Sequence, residues 1–509
     1  MNKFKATLAA GALLAAFGSA ASAQTLVYCS EGSPEGFDPA LFTAGTTFDA
    51  SSQTVYNRLL EFQTGTTNVV PALAESYEVS EDGLTYTVKL REGVKFHNGK
   101  DMTAEDVAYS YNYIRDPDNG SPGAGDFAII DNVEVVDPLT VKFHLSSPNG
   151  SLPMTLGNKY GAVIPAGYFD DENAKNTINF ESVGTGPFKL VEFNPNSNLL
   201  MEKFEDYWEE GAPYLDAIDF SFLPNSASML VALRNGRIDL VKLERPQDVQ
   251  QVSEVEGLSI ERWPSLNQKP IDLGSETAPL DDVRVRQAIA LAVDREEIKN
   301  ASVGEYGEVI YTMPAGMAEA WGVAPGELPN MARDVEKAKA LLAEAGHADG
   351  FDLKLTIING YDWMDPAAVT LKEQLAEIGI NLSIEKVDIG VWINNFRSKQ
   401  MGFTFNDWAS QPDPNLLFYR HFHKAPEGAD FRNWNNDEAS ALLDEGRAES
   451  DPAKRKEIYA KFQEILAETV PTIMLFSADH VTVRDEGVQN FTQHPTGWYY
   501  GLVRTYLDE

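Results

Sequence analysis

Residues 351–387 read FDLKLTIINGYDWMDPAAVTLKEQLAEIGINLSIEKV, and this segment predicts the type of fold most clearly. Residues 351–358 and residues 380–387 are rich in β-branched and other apolar side chains, and each predicts a strand. An apolar pattern with helical spacing lies between them. It begins at Pro366 and stops before Gly379, and these residue types are typical of the first turn and the end of a helix. A strand, a helix and a second strand in this order predict an α/β layer with parallel strands.

The alternation of strands and helices extends beyond this stretch. In the C-terminal half it predicts a doubly wound parallel sheet, with helices over residues 281–300, 333–345, 391–398 and 453–468 and strands over residues 401–405 and 472–476. In the N-terminal half it predicts a strand over residues 25–29, helical spacing over residues 48–62, a hairpin around Asp82-Gly83, and a helix capped by Thr103. Residues 133–136 and 141–145 predict a further strand pair.

Two loops rich in aspartate and tryptophan follow predicted strands, at residues 357–366 and 405–414. Ligands of open α/β sheets bind at the carboxyl ends of the strands. A flat aromatic face beside a carboxylate suits a small ligand with positive charge and some apolar surface. The alternative is that both are solvated loops whose tryptophans, Trp363 and Trp408, fill the protein core.

The composition is that of a folded but strongly acidic protein. Its 509 residues are 43% hydrophobic, enough for roughly three structural units. The formal net charge is −36, from 77 acidic and 41 basic residues. Such a field repels the phosphate backbone, so nucleic acid is not expected as a partner.

The N-terminus has the pattern of a secretory signal peptide. Lys3 and Lys5 precede a mostly apolar run over residues 8–20, and Ala21-Ser22-Ala23 supplies small residues for cleavage after Ala23. We therefore expect an exported protein located in a bacterial periplasm. The single cysteine, Cys29, has no partner for an intramolecular disulfide, and a thiol packed in the first strand is expected.

Enzymatic motifs are weak. The sequence contains no phosphate-binding Walker loop, no GxSxG, no HExxH and no CxxC. His421 and His423 could share one face of a strand and bind a metal ion, or could be two exposed histidines. The pairs Asp362/Asp365 and Asp407/Asp413 could act as acid and base. Helix capping and turn formation explain Asp365 and Asp413 equally well, since each precedes a proline.

Several segments resemble a known family. They are TLVYCSEGSPEGFDPALFTAGTTFD (25–49), YNRL (56–59), LAESYEVSEDGLTY (73–86), LREGVKFH (90–97), TAEDV (103–107), GTGPF (184–188) and PLDDVRVRQA (279–288). In this order they resemble the peptide/opine/nickel solute-binding proteins of ABC importers, family 5. The first segment is most similar to the dipeptide-binding members of that family.

The resemblance implies a two-lobed periplasmic-binding-protein fold of type II, cluster C-like, with a hinge between the lobes and an extra subdomain. After a signal peptide over 1–23, lobe I would comprise 24–69, 184–264 and 485–509. The extra subdomain would comprise 70–183, and lobe II would comprise 265–484. The implied partners are a small molecule or short peptide and an inner-membrane ABC permease with its ATPase. A monomer without cofactor or metal is expected.

The resemblance also implies candidate ligand residues. Asp362, between Tyr361 and Trp363, takes the place of the arginine that holds the ligand carboxylate in the dipeptide binders. Gln411, flanked by Asp407 and Asp413, takes the place of the aspartate for the ligand ammonium, shortly after Trp408. Thr43, Gly45 and Thr46 match the N-terminal pocket loop, and Ile238 replaces the disulfide partner of Cys29.

The exchange of arginine for aspartate at position 362 should reverse the charge preference at that end of the pocket, because an unpaired buried charge costs several kcal/mol. The sequence therefore predicts a binding protein for a peptide or peptide-like solute, with a preference for a cationic or amine-bearing one. The alternatives are a secreted hydrolase or metal-dependent enzyme using the Asp and His loops, and a transport-independent sensor or folding helper.

Overall fold

The computed structural model describes residues 24–42, 44–170, 177–178, 181–243, 245–398, 401–424, 434–497 and 501–508. The predicted signal peptide and the candidate ligand residue Thr43 lie outside these residues. Within the described ranges, no helix is both long enough and apolar enough to cross a membrane.

The strands are Thr25–Ser30, Leu60–Phe62, Val69–Pro71, Ala74–Val79, Thr85–Leu90, Ile130–Asp137, Thr140–Leu145, Phe188–Asn194, Asn198–Lys203, Ala217–Phe222, Leu240–Leu243, Leu258–Trp263, Lys269–Leu273, Gly307–Val309, Phe351–Ile358, Ile380–Val387, Phe403–Phe405, Thr472–Ala478, His480–Asp485, Val488–Gln489 and Tyr506–Leu507. The α-helices are Gly45–Ser51, Ala104–Arg115, Leu152–Leu156, Ser226–Arg234, Pro246–Val252, Val283–Ala292, Arg295–Val303, Ala315–Trp321, Val335–Glu344, Met364–Ala376, Ile389–Arg397, Arg420–Phe422, Asp437–Ala448 and Pro452–Thr469. Short 3₁₀ turns cover Pro117–Asn119, Ala124–Phe127, Pro325–Glu327 and Leu502–Arg504, and a π-helical turn covers Asn415–Tyr419.

The first sheet gathers strands from distant parts of the chain. Thr25–Ser30 lies at its centre and pairs in parallel with Ala217–Phe222 on one side and Leu240–Leu243 on the other. The remaining pairs in this seven-stranded sheet are antiparallel. Cys29 lies on this central strand and is buried in one apolar cluster with Ile238, as expected for a packed thiol. Burial raises the pKa of the Cys29 thiol to about 12, because the thiolate would lose its hydration.

The second sheet has six strands and is mixed, so the prediction of a wholly parallel sheet is only partly right. Phe351–Ile358 pairs in parallel with Ile380–Val387 and with Phe403–Phe405, and the helix Met364–Ala376 makes the crossover. Lys269–Leu273, Thr472–Ala478 and Gly307–Val309 then add antiparallel strands. Periodicity reports which faces of a strand are buried, but not which strand lies next to it.

Two neighbouring crossings connect the two sheets. The chain passes from the first sheet to the second after Trp263, and it returns between Ala478 and His480. The crossings are joined by hydrogen bonds: Ser265 Oγ donates to the carbonyl of Ala478 at 2.6 Å, and Asn267 Nδ2 donates to the same oxygen at 2.9 Å. The return comes before the predicted boundary at residue 484, because His480–Asp485 already pairs in the first sheet. The predicted domain limits otherwise remain a prediction.

A separate four-stranded antiparallel sheet forms between the first strand of the chain and Phe188. Its order is Ala74–Val79, Thr85–Leu90, Thr140–Leu145 and Ile130–Asp137. The predicted hairpin is confirmed, with Gly83 at φ +70°, a conformation that other residues adopt at a cost. The predicted cap at Thr103 is confirmed as well, since Thr103 and Asp106 form a capping box.

Two predicted helices are wrong in extent. The helix expected over residues 281–300 is broken at Val293, which is extended, and Asp294 starts a second helix by accepting a hydrogen bond from the Glu297 N–H at 3.0 Å. The helix expected over residues 48–62 ends at Ser51, and Leu60–Phe62 is a strand. Val55, Tyr56, Leu59 and Leu60 are buried from all sides, so their spacing does not mark one helical face.

Candidate functional site

The loop after Phe351–Ile358 holds three of the candidate ligand residues, but its tryptophan belongs to the core. Trp363 is 8% exposed and packs against Phe405 and Phe476, with ring centroids 5.2 and 5.5 Å apart. Tyr361 is half-buried against the same apolar cluster. The core alternative that the sequence left open for Trp363 is therefore the one the packing favours.

Asp362 itself is exposed and interacts electrostatically with Arg245. Arg245 follows the strand Leu240–Leu243 and binds Asp248 through two hydrogen bonds, of 2.7 and 2.9 Å. The hydrogen bonds to Asp248, followed by the charges of Asp248 and Asp362, raise the pKa of the Arg245 guanidinium. Asp362 therefore already interacts with the Arg245 cation, which weakens the hypothesis that it binds a cationic ligand.

The second loop, after Phe403–Phe405, buries its tryptophan more deeply. Trp408 is 2% exposed and stacks on His421, with centroids 3.9 Å apart and planes 4° from parallel. Asp407 forms an ion pair with Lys269 at 2.6 Å, and the Lys269 ammonium lies 5.8 Å from the Trp363 ring centroid. Lys269 therefore connects the two loops from the neighbouring strand and neutralises Asp407.

Asp413 is part of a buried ion-pair network. It is 1% exposed and accepts hydrogen bonds from Arg455 Nη1 at 3.1 Å, from Arg455 Nη2 at 3.0 Å and from Ser151 Oγ at 3.1 Å. Burial by itself would lower the pKa of Arg455, but the charge of Asp413 and its hydrogen bonds together raise it. Both carboxylate oxygens are occupied, so we leave Asp413 out of the proposed ligand site.

The network also joins the extra four-stranded unit to elements of the second sheet's half of the chain. Ser151 follows the strand Thr140–Leu145 of that unit, whereas Asp413 follows the strand Phe403–Phe405 and Arg455 lies in the helix Pro452–Thr469. Beside it, the Gly150 N–H donates to the carbonyl of Arg447 at 2.8 Å, and a β-carbon at Gly150 would collide with the carbonyl oxygen of Glu449. The two units are therefore in close contact here, away from the two crossings between the sheets.

A cavity of about 880 Å³ lies next to this contact. One wall comes from residues 122–160 of the extra unit, and the facing wall comes from residues 409–420 and Arg447 of the second lobe. Phe62 and Thr496 contribute from the side of the first sheet. Of the candidate ligand residues, Gln411 lines this cavity.

The other candidates lie elsewhere. Gly45 is exposed at the start of the helix Gly45–Ser51, and the Thr46 γ-methyl lies 3.4 Å from where a β-carbon on Gly32 would be. Neither residue is among those lining the cavity, nor are Tyr361, Asp362, Trp363, Asp407 and Trp408.

Polar residues that the sequence did not single out complete the cavity. Asn158 Nδ2 donates to Asp126 Oδ2 at 3.0 Å, and Lys159 and Arg420 act on the same carboxylate through their charges. Burial raises the pKa of Asp126, and the two cations oppose that rise. Asn415 is 3% exposed, and its Oδ1 has no hydrogen-bond partner among the described residues. These positions carry no motif, because they meet only when two units of the chain fold against each other.

The histidine hypothesis does not produce a metal site. His421 stacks on Trp408, whereas His423 stacks on Tyr419 and contacts Asp444 at 3.2 Å. Among the described residues, no group of three or more His, Cys, Asp or Glu side chains is arranged to hold a metal ion.

The model of one family matches residues 68–429, and its description is bacterial extracellular solute-binding proteins, family 5. The chain belongs to this family. A dipeptide-binding protein of Escherichia coli is 32% identical over 521 residues, covering 96% of each chain. Heme-binding protein A of Haemophilus influenzae is 30% identical over 515 residues, covering 94% of this chain and 92% of the relative.

Solved structures agree with the family. The periplasmic binding protein DppA of Helicobacter pylori, in complex with the peptide STSA, superposes on this family 5 protein with a TM-score of 0.79 at 28% identity, covering 95% and 98% of the two chains. HbpA2 of Haemophilus parasuis gives a TM-score of 0.84 at 28% identity, covering 95% and 100%. The predicted periplasmic-binding-protein fold is confirmed. The relatives are solute-binding proteins, which agrees with the expectation of a non-enzyme.

Proposed function

We propose that this family 5 protein captures a peptide or peptide-like solute in the 880 Å³ cavity between its lobes and delivers it to an inner-membrane ABC permease with its ATPase. The observation that carries the proposal is the cavity itself, whose walls come from two units with separate apolar cores. Its volume falls within the range of about 300–1,000 Å³ that is typical of small-molecule sites. The relatives named for dipeptides support a solute of this class.

The mechanism follows from the layout. Two adjacent crossings between the sheets, joined by short hydrogen bonds, can act as a hinge while the facing walls move apart. A solute that contacts both walls favours the closed form by its difference in affinity for the two forms. Micromolar affinity corresponds to about −8 kcal/mol, which a few charge-assisted hydrogen bonds within a closed site can supply.

We further propose that the protein acts in the periplasm and does not transform its ligand. The acid pairs suggested by the sequence support this, since Asp407 is paired with Lys269, Asp413 with Arg455 and Asp365 with Lys386. A carboxylate held by a cation is a poor base, because the ion pair stabilises its charged form.

The test is to purify the protein natively from the periplasm of its host and identify retained solutes by mass spectrometry. We expect a retained small solute whose return to the stripped protein reduces the radius of gyration measured by X-ray scattering. A shape that never changes, or recovery of the added solute as a chemically altered product, would contradict the proposal. Loss of uptake of that solute when the permease is deleted tests the delivery step.

A further inference from the structure

The cavity between the lobes has the opposite charge to the rest of the molecule. Over the whole chain, acidic residues outnumber basic ones 77 to 41. Among the described residues, the charged side chains that line the cavity are those of Lys159, Arg420 and Arg447, together with the carboxylate of Asp126. A positively charged cavity in an acidic molecule has a local positive electrostatic potential, which favours an anionic ligand.

Lys159 is poorly hydrated and shares its counter-charge. Its ammonium lies 4.3 Å from the Phe48 ring centroid and 5.2 Å from that of Tyr160. Burial lowers the pKa of Lys159 to about 8, with the charge of Asp126 opposing the shift. Asp126 also interacts with Arg420 and accepts the hydrogen bond from Asn158. Asp126 thus serves both cations, Asp49 also acts on Lys159 through its charge, and an anionic ligand group would add a counter-charge inside the cavity.

The same cavity offers a hydrogen-bond acceptor on its other wall. Asn415 Oδ1 is buried and has no partner among the described residues, and Gln411 lines the cavity four residues earlier. A buried carbonyl oxygen left without a donor costs free energy, which a donor group on the ligand would recover. The cavity therefore offers positive charge to an anionic ligand group and a buried acceptor to a hydrogen-bond donor.

We propose that the solute carries a carboxylate and a hydrogen-bond donor. Lys159 and Arg420 bind the carboxylate, and Asn415 Oδ1 accepts a hydrogen bond from the donor group. This assignment rests on the proposed function and specifies the ligand of that same cavity. It reverses the preference expected from Asp362, which does not line the cavity and faces Arg245 instead. An arginine can bind a carboxylate through two parallel hydrogen bonds, and a lysine adds a point charge.

The experiment uses the peptide Ser-Thr-Ser-Ala and a set of dipeptides, each as the free acid and as the C-terminal amide. Calorimetry measures both forms on the full mature protein and on the variants Lys159→Met and Arg420→Gln. The matched controls are Lys354→Met and Arg333→Gln, which remove the same charges from exposed ion pairs of the second lobe. We expect the free acids to bind roughly tenfold or more tightly than the amides, as charge-assisted hydrogen bonds imply. That preference should fall several-fold in each cavity variant and stay unchanged in the controls.

The pH dependence gives a second readout. Affinity for the free acid should fall as the pH rises from about 7 to 9, since Lys159 loses its proton near 8 and the charge that binds the carboxylate disappears. The charged groups that face Lys159 are Asp126, Arg420 and Asp49. The Lys159→Met variant should lack this part of the pH profile, and a wild-type profile that is flat would contradict the role of Lys159.

The possible results of these experiments distinguish failure of the carboxylate assignment from failure of the proposed solute capture. Acids and amides that bind equally well would overturn the carboxylate assignment and leave solute capture intact. A preference that survives in both cavity variants would overturn the assignment of Lys159 and Arg420. Binding of neither form, together with a native preparation that retains no solute, would overturn the proposed function and the assignment with it.

Discussion

The loops that follow Phe351–Ile358 and Phe403–Phe405 contain the same residue types, but only the second continues into the cavity. In the first loop the tryptophan packs into the core of the second sheet and the aspartate at position 362 is exposed. In the second loop Trp408 is buried, and the chain continues to Gln411 in the cavity wall and to Asp413 in a buried ion pair. Similar composition at similar places in a sheet therefore does not imply a similar role.

The difference arises from what each loop meets. The second loop runs against residues of the extra four-stranded unit, and its charge is fixed by Arg455 and Ser151. In the first loop, the exposed Asp362 interacts electrostatically with Arg245, which follows the strand Leu240–Leu243. Electrostatic interactions in a buried contact are stronger than those in water. The pairing of Asp413 should therefore contribute more to the free energy of unfolding than the interaction of Asp362.

The largest effect should come from the buried pair of the second loop. Arg455→Met should destabilise the protein by about 3–5 kcal/mol, because Asp413 would keep a buried charge without its partner. Urea unfolding followed by circular dichroism measures this. Arg333→Met, which removes an exposed partner of Glu377, should cost less than about 1 kcal/mol. If both variants lose the same stability, the distinction between the loops fails.

Removing the tryptophan of the first loop should affect stability and leave binding unchanged. Trp363→Ala should cost about 3 kcal/mol, since it leaves a void beside Phe405 and Phe476 in the second-sheet core. Affinity for the natively retained solute should stay within about twofold, because Trp363 does not line the cavity. A stable variant with strongly weakened binding would show that Trp363 contacts the ligand.

Removing the polar side chain of Gln411, which lines the cavity, should weaken binding and leave stability unchanged. Gln411→Leu should weaken binding of the same solute by about tenfold, or about 1.4 kcal/mol, through loss of a hydrogen bond in the closed site. Its unfolding free energy should change by less than about 0.5 kcal/mol. Calorimetry and urea unfolding on the same preparation separate the two quantities. Unchanged affinity would remove Gln411 from the site.

The smallest effect should come from the aspartate of the first loop. Asp362→Asn should change stability by less than about 0.5 kcal/mol and affinity by less than about twofold, because an exposed interaction with Arg245 is screened by water and salt. Titration at low and moderate ionic strength checks this. A large loss of affinity for an amine-bearing solute would restore the cationic preference expected from the sequence.

Much of the fold was predictable because it depends on local chemistry. The hairpin around Gly83, the capping box of Thr103 and the strand–helix–strand unit after Phe351 all follow from residue types at fixed spacings. The predicted helix over 281–300 was wrong because a single aspartate, Asp294, started a new helix within a continuous apolar pattern. The antiparallel strands of the second sheet were missed because strand order depends on contacts between distant segments.

The candidate site was predictable in part. Gln411 was found through its alignment with a family position, whereas Asp126, Lys159, Arg420 and Asn415 carry no local signal. Asp407 and Asp413 resembled ligand groups because their partners, Lys269 and Arg455, are far away in the sequence. An ion pair between distant residues cannot be recognised from spacing alone.

Periodicity and turn chemistry in the sequence predicted the α/β architecture, and the ordered motifs identified the family, whose resemblance implied the two-lobed layout. Only the folded structure shows which aspartates are paired with a cation, that Trp363 and Trp408 are both buried, and that the described charged residues lining the cavity are mostly basic. The physical reason is that charge and burial are properties of side chains brought together by folding. Lys159 and Arg420 lie far apart in the sequence, yet both act on the carboxylate of Asp126.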